Sequence, residues 1–81
     1  MLIAISTSGN STNILNAVDT AQALRTKVIG FTGKTGGRLR GACDLTLVVP
    51  SDVTARIQEM HIVMGHLLCA LIEDELGLDA D

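Results

Sequence analysis

The sequence is short of aromatic residues, of cysteine and of positive charge, and no apolar run in it is long. Phe31 is the one aromatic residue among 81, so the hydrophobic 47% is almost entirely aliphatic. Net charge is −3, which argues against a protein built to grip the phosphate backbone of DNA or RNA. No apolar stretch reaches membrane-spanning length. The polar residues from Ser6 to Ser11 interrupt the apolar start too early for a signal peptide. The two cysteines, Cys43 and Cys69, lie in apolar company without metal-like spacing. They read as reduced, packed thiols of a cytoplasmic protein, with a disulfide as the alternative.

What is present is aliphatic surface in excess. The chain forms one domain at most, and one this short buries only about 60–65% of the surface its unfolded form exposes. So much aliphatic surface implies burial against a partner subunit or a missing part of the same fold.

Leu2-Ile3-Ala4-Ile5 reads as a fully buried strand. Ile14, Leu15, Val18, Ala21 and Leu24 then fall on one helical face, opposite Asn16, Asp19 and Thr20. Lys27 to Thr32 is a second strand. Gly33 to Gly37 is a loop with three glycines, followed by a short turn of helix near Arg38 to Gly41. Leu45 to Val49 is a third strand, stopped by Pro50. A long helix runs from about Val53 to Leu76, with Gly77 just past its end. The tail Asp79-Ala80-Asp81 reads as frayed. Helical crossovers between apolar strands imply parallel pairing and a three-layer α/β fold with helices on both sheet faces.

Two features point outside the sequence. Strand one is apolar throughout, as an interior strand would be, so it is expected to pair with something absent here. From Met60 to Ile72 the long helix is apolar nearly all the way round, which one packing face cannot account for. One face is expected on the sheet and another on a partner.

The segment Ser6-Thr7-Ser8-Gly9-Asn10-Ser11 joins a strand's carboxyl end to a helix amino end, where unpaired N–H groups carry partial positive charge. Gly9 permits close approach of a ligand, and four hydroxyls add donors. These are the parts of an anion site, at the strand ends where open α/β sheets bind ligands. The bland alternative is that Ser11 or Asn10 caps the helix while the other hydroxyls fill a turn. Gly33-Lys34-Thr35 looks like the end of a nucleotide-binding P-loop, but that motif needs a glycine at position 28, which is Val28. The loop therefore reads as a strand-to-helix turn, with Lys34 in solvent.

On the long helix, Gln58, His61 and His66 are the chemical candidates, with Arg56 and Glu59 placed to pair on the surface. His61 reads as a core histidine bonded to a backbone group or a carboxylate. His66 follows Gly65, which leaves room beside it, and is a candidate acid, base or metal ligand. Spacing alone leaves catalysis and core packing both open for it.

Leu2 to Ser11, the strand ending Phe31-Thr32-Gly33-Lys34, and Pro50-Ser51-Asp52 followed by Thr54 to Glu59 together resemble the carboxyl-terminal half of the phosphoheptose isomerase family of SIS (sugar isomerase) domains. The resemblance covers nearly the whole chain and implies one half of a flavodoxin-like SIS domain spanning residues 1–81. It implies a five-stranded parallel sheet in a homotetramer, of which this chain supplies about three strands and three helices. The implied activity is the interconversion of sedoheptulose 7-phosphate and D-glycero-D-manno-heptose 7-phosphate through an enediol, toward the heptose of lipopolysaccharide. Ser6, Thr7, Ser8 and Ser11 match the family's phosphate-contacting hydroxyls. Gln58 matches a substrate- and zinc-binding glutamine, and His66 a zinc-binding, acid/base histidine.

The family's glycine-rich loop, a further metal-binding histidine and a catalytic glutamate have no counterpart here, so the isolated chain is expected to be inactive. An acidic residue that contacts substrate in the family is Ala55 in this chain. Gln58 and His66 are eight residues apart, about 12 Å along a helix axis, too far for one ion bound at about 2 Å. Metal sites formed between subunits are therefore expected. Two other functions compete. A non-catalytic SIS relative binds the replication initiator and shares the run Arg56 to His61, but has arginine at the position of Ser8 and asparagine at that of His66. A regulatory SIS module that only binds a sugar phosphate would need the serine loop but not His66.

Overall fold

The second strand sets the architecture, because its two faces carry different partners. In Val28-Ile29-Gly30-Phe31-Thr32-Gly33, alternate residues face opposite sides of the sheet. The computed structural model describes residues 1–77. It places β1 at Leu2–Ile5, α1 at Thr12–Ala23, β2 at Val28–Gly33, a 3₁₀ turn at Gly37–Gly41, β3 at Leu45–Val49 and α2 at Thr54–Leu76. The three strands form a parallel sheet in the order β1-β2-β3. In register, Ile5 lies beside Phe31, and Phe31 beside Leu47.

On one face, Val28 joins Ala4, Val18, Ala21 and Leu39 in the buried core, so α1 and the 3₁₀ turn cover that side together. On the other face, Ile29 and Phe31 look toward Met64, Leu67, Leu68 and Leu71 of α2 across an apolar groove of about 160 Å³. Helices thus flank the sheet on both sides, as the unalternating strands imply.

The seat of α2 is built from an absence. A Cβ on Gly33 would lie 2.4–2.7 Å from three side-chain atoms of Ile57, and Ile57 is fully buried. One helical turn later, His61 Nε2 meets the carbonyl oxygen of Thr32 at 3.0 Å. Consecutive residues of β2 therefore hold consecutive turns of α2. The helix ends at Gly77, whose φ of 70° suits the left-handed terminator position expected of glycine there.

Several sequence expectations shift. The second strand starts at Val28 rather than Lys27, whose ammonium instead pairs with Asp44 at 3.9 Å. The short helix is a 3₁₀ turn. The first helix stops at Ala23, leaving Leu24 73% exposed, because Arg25 turns the chain with a positive φ of 59°. Arg56 and Glu59 make no ion pair and instead border a groove beside Val48–Ser51. Cys43 and Cys69 are both free thiols. Cys43 is half-buried, and burial raises its pKa, opposed by a hydrogen bond from Thr46 and reinforced by Asp44. Cys69, read as packed, is exposed, because it lies on the side of α2 turned from the sheet. The tail Asp79–Asp81 lies outside the described residues.

The apolar excess is visible as exposure. Ile62, Val63, Leu67 and Leu71 of α2 are all more than half exposed, as is Leu76. The first strand is an edge strand, with Ile5 half exposed. No helix of the described residues is long and apolar enough to cross a membrane.

Gly33→Ala should destabilise the chain by about 1–3 kcal/mol, the usual scale of overpacking a tight contact. Pairing it with Ile57→Val should return part of that loss. Urea denaturation of the single and double variants measures both.

Candidate functional site

The residues after β1 make a tight loop by bonding to themselves. Ser6 continues the ladder by donating its N–H to Phe31 O at 2.9 Å. The Gly9 N–H donates to Ser6 O at 3.2 Å and to Ser6 Oγ at 3.1 Å. The Asn10 N–H donates to Ser8 Oγ at 3.1 Å. In both serines the hydroxyl oxygen accepts, which leaves its hydrogen for something else.

The loop delivers the chain to Ser11, the residue before α1, and no side chain caps that helix. The bland reading of the loop therefore fails at the cap, while its other half holds in that the Ser6 and Ser8 hydroxyls fill the turn. Neither Ser11 nor Asn10 satisfies the first-turn N–H groups, so these keep their donors and their share of the helix dipole.

Opposite the loop stands the first half of α2. Ser6, Thr7, Ser8 and Ser11 line one pocket of about 820 Å³ together with Gln58, His61, Gly65 and His66. Its remaining walls are Ile5, Ile14 and Ile62. The six residues singled out as ligand-binding or catalytic thus border a single cavity, hydroxyls on one wall and Gln58 and His66 on the other. Among the described residues no carboxylate lines it, so an anion meets donors there without a competing negative charge from them. Both Gln58 and His66 are exposed. His66 stands on the pocket side of the helix.

His61 is the core histidine its apolar neighbours imply. It is 5% exposed, its ring lies 5.9 Å from that of Phe31, and it bonds a backbone carbonyl. Its Nδ1 is buried with no hydrogen-bond partner among the described residues. Because a carbonyl only accepts, Nε2 must carry the proton, and in the neutral ring Nδ1 is left as the acceptor.

The fit of a metal is partial. Among the described residues, no group of three or more His, Cys, Asp or Glu side chains could hold a metal ion. Gln58 and His66 each offer one donor, but two turns of a straight helix keep them from sharing one ion.

Sequence reasoning missed the other side of the serine loop. The Gly33–Gly37 segment turns the chain as expected, with Lys34 exposed, and it also presses on the loop. A Cβ on Gly9, whose φ is 74°, would lie 1.9 Å from Gly36 O, and one on Gly37 would lie 2.5 Å from Ser8 O. Leu39 N–H donates to Gly9 O at 2.9 Å, and Arg38 N–H donates to Asn10 Oδ1 at 3.0 Å. Gly9 in one loop and Gly37 in the other were the available signal, since bare backbone permits such contact between loops.

Known proteins share much of this sequence and its fold. The chain is 55% identical over 77 residues to the phosphoheptose isomerase of Aliarcobacter butzleri, a match spanning 95% of the chain and 41% of that protein. It is 53% identical over 76 residues to the phosphoheptose isomerase of Rhodospirillum rubrum, spanning 94% of the chain and 40% of that protein. The chain resembles a part of phosphoheptose isomerase. The fold agrees: phosphoheptose isomerase GmhA from Neisseria gonorrhoeae superimposes with a TM-score of 0.84 at 43% identity, over 88% of this chain and 41% of that one. A phosphoheptose isomerase from Francisella tularensis gives 0.85 at 45% identity, over 90% and 42%. The chain therefore spans about two fifths of the length of the phosphoheptose isomerases it matches. No family model matches it.

The ring geometry of His61 makes a spectroscopic prediction. At pH 8, nitrogen chemical shifts should report the neutral ring protonated on Nε2, and a ring protonated on Nδ1 would contradict the bond to Thr32.

Proposed function

We propose that this chain is the carboxyl-terminal, phosphate-gripping part of a phosphoheptose isomerase, and that its pocket holds sedoheptulose 7-phosphate or the corresponding aldose. One observation carries the reading: Ser6, Thr7, Ser8 and Ser11 face Gln58 and His66 across a single cavity. The hydroxyls and the uncapped N–H groups of α1 bind the phosphate as an anion at a helix amino terminus. The phosphate then anchors the far end of the sugar and sets which carbons reach the opposite wall.

Ketose–aldose exchange through an enediol moves a proton between neighbouring carbons and another between their oxygens. His66 is the one exposed imidazole in the pocket and acts as acid and base for such transfers. Gln58 orients the sugar by hydrogen bonds. Gln58 and His66 are the donors this chain would offer to zinc, each as a single ligand, and the ion would supply polarisation of the carbonyl. The exposed aliphatic side chains of α2 are buried by other copies in a tetramer, and the unpaired edge of β1 by further strands of the sheet. The enzyme works in the cytoplasm, in the synthesis of heptose for lipopolysaccharide. The presence of His66 opposite the serine loop favours an enzyme over a module that only senses sugar phosphate.

The test is a chimera in which this chain replaces the matched segment of the Aliarcobacter butzleri phosphoheptose isomerase. It should isomerise sedoheptulose 7-phosphate, and His66→Asn in it should lower kcat by about 10²–10⁴-fold. Equal turnover by the variant removes His66 from the mechanism. Ser8→Ala should raise KM by about three- to tenfold with little change in kcat, the scale of one lost hydrogen bond. The 81 residues alone should give no turnover in the same assay, and robust activity from them would contradict a site shared between chains.

A further inference from the structure

The serine loop does not hold its shape alone. Its internal bonds run from Gly9 and Asn10 back to Ser6 and Ser8, β2 holds its start through Phe31 O and lies under Gly9 at Thr32, and its remaining restraints come from the segment that follows β2. Gly36 O closes against Gly9, Ser8 O closes against Gly37, and Leu39 N–H holds Gly9 O. Among these contacts one side chain takes part. Asn10 Oδ1 accepts the Arg38 N–H at 3.0 Å across 28 residues of sequence.

We infer that Asn10 is a positioning residue of the anion site, with the 3₁₀ turn Gly37–Gly41 as the brace it works against. The inference rests on the phosphate reading of the serine loop. Asn10 lies between Gly9 and Ser11, and its own N–H is already committed to Ser8 Oγ. Tying its side chain to Arg38 therefore fixes Ser8 and the entry to α1 at once. An anion held by hydroxyls and backbone N–H groups gains most when those donors are aimed before it arrives. Without the tie, the loop must order itself on binding, and affinity falls by that cost. Asn10 need not touch the anion to have this effect. It is exposed, so its loss removes no buried contact from the core.

Inorganic phosphate titrated into the isotope-labelled 81-residue chain, followed by amide NMR, tests this. In the parent, the amides of Ser8 to Ser11 and of Arg38 should move along one binding curve. Asn10→Ala should weaken that binding roughly three- to tenfold, the worth of one hydrogen bond, and uncouple the Arg38 amide from the curve, with the thermal midpoint nearly unchanged. Arg38→Pro deletes the same bond from its donor side, near the start of a helical turn where proline is tolerated. Its effect should match that of Asn10→Ala, and the double variant should bind no more weakly than either single one. Unchanged affinity in a folded Asn10→Ala chain overturns the inference while leaving the phosphate site standing. Additive losses in the double variant overturn it as well. No response of the parent's loop to phosphate would instead remove the phosphate reading, and this inference with it.

Discussion

The carboxyl end of β2 is the point on which the rest of the structure depends. Thr32 is fully buried, and its carbonyl receives His61 while Gly33 receives Ile57. One turn of helix separates those two side chains, so the strand sets both the height and the rotation of α2. Gln58 precedes His61 by three residues and His66 follows it by five, so the same two contacts place the chemically able residues of the helix. The same contact leaves His61 Nδ1 buried without a hydrogen-bond partner among the described residues. The other side of the same residue serves the other wall. A Cβ on Gly9 would lie 2.9 Å from Thr32 Oγ1, so the serine loop lies directly over Thr32.

The pocket is therefore a consequence of glycine as much as of serine. Gly33 lets α2 down onto the sheet, and Gly9 and Gly37 let two loops share a volume that side chains would fill. A parallel sheet brings both loops to the same end because β1 and β2 run the same way. The donors of the first loop, the brace of the second and the polar residues of α2 meet there for reasons of topology. Similarity to phosphoheptose isomerases over nearly the whole chain then gives the anion its proposed identity as a sugar phosphate.

Much of this was legible in the residues. Apolar runs of four to six residues separated by helical patterns gave three parallel strands, and Gly77 marked the end of α2 to the residue. Four hydroxyls around Gly9 identified one wall of the pocket. What periodicity does not carry is which loop leans on which. Asn10 read as a possible helix cap because residue type and position suit a cap, yet its side chain reaches a backbone N–H 28 residues away. The Arg56–Glu59 pair, favourable by spacing, does not form, since exposed ion pairs gain too little to fix two long side chains. The aliphatic excess of α2 was legible, and the structure shows it as the exposure of Ile62, Val63, Leu67 and Leu71.

The central claim is that the phosphate of a sugar sits between the serine loop and the amino end of α1, with its carbon chain directed at His66. A crystal structure of the Aliarcobacter butzleri chimera with sedoheptulose 7-phosphate tests it most directly. The account predicts phosphate density within hydrogen-bonding reach of Ser6, Thr7, Ser8 and Ser11, and the carbonyl end of the sugar toward the His66 imidazole. Phosphate bound away from this loop, for instance beside the exposed Arg38 and Arg40, would contradict it.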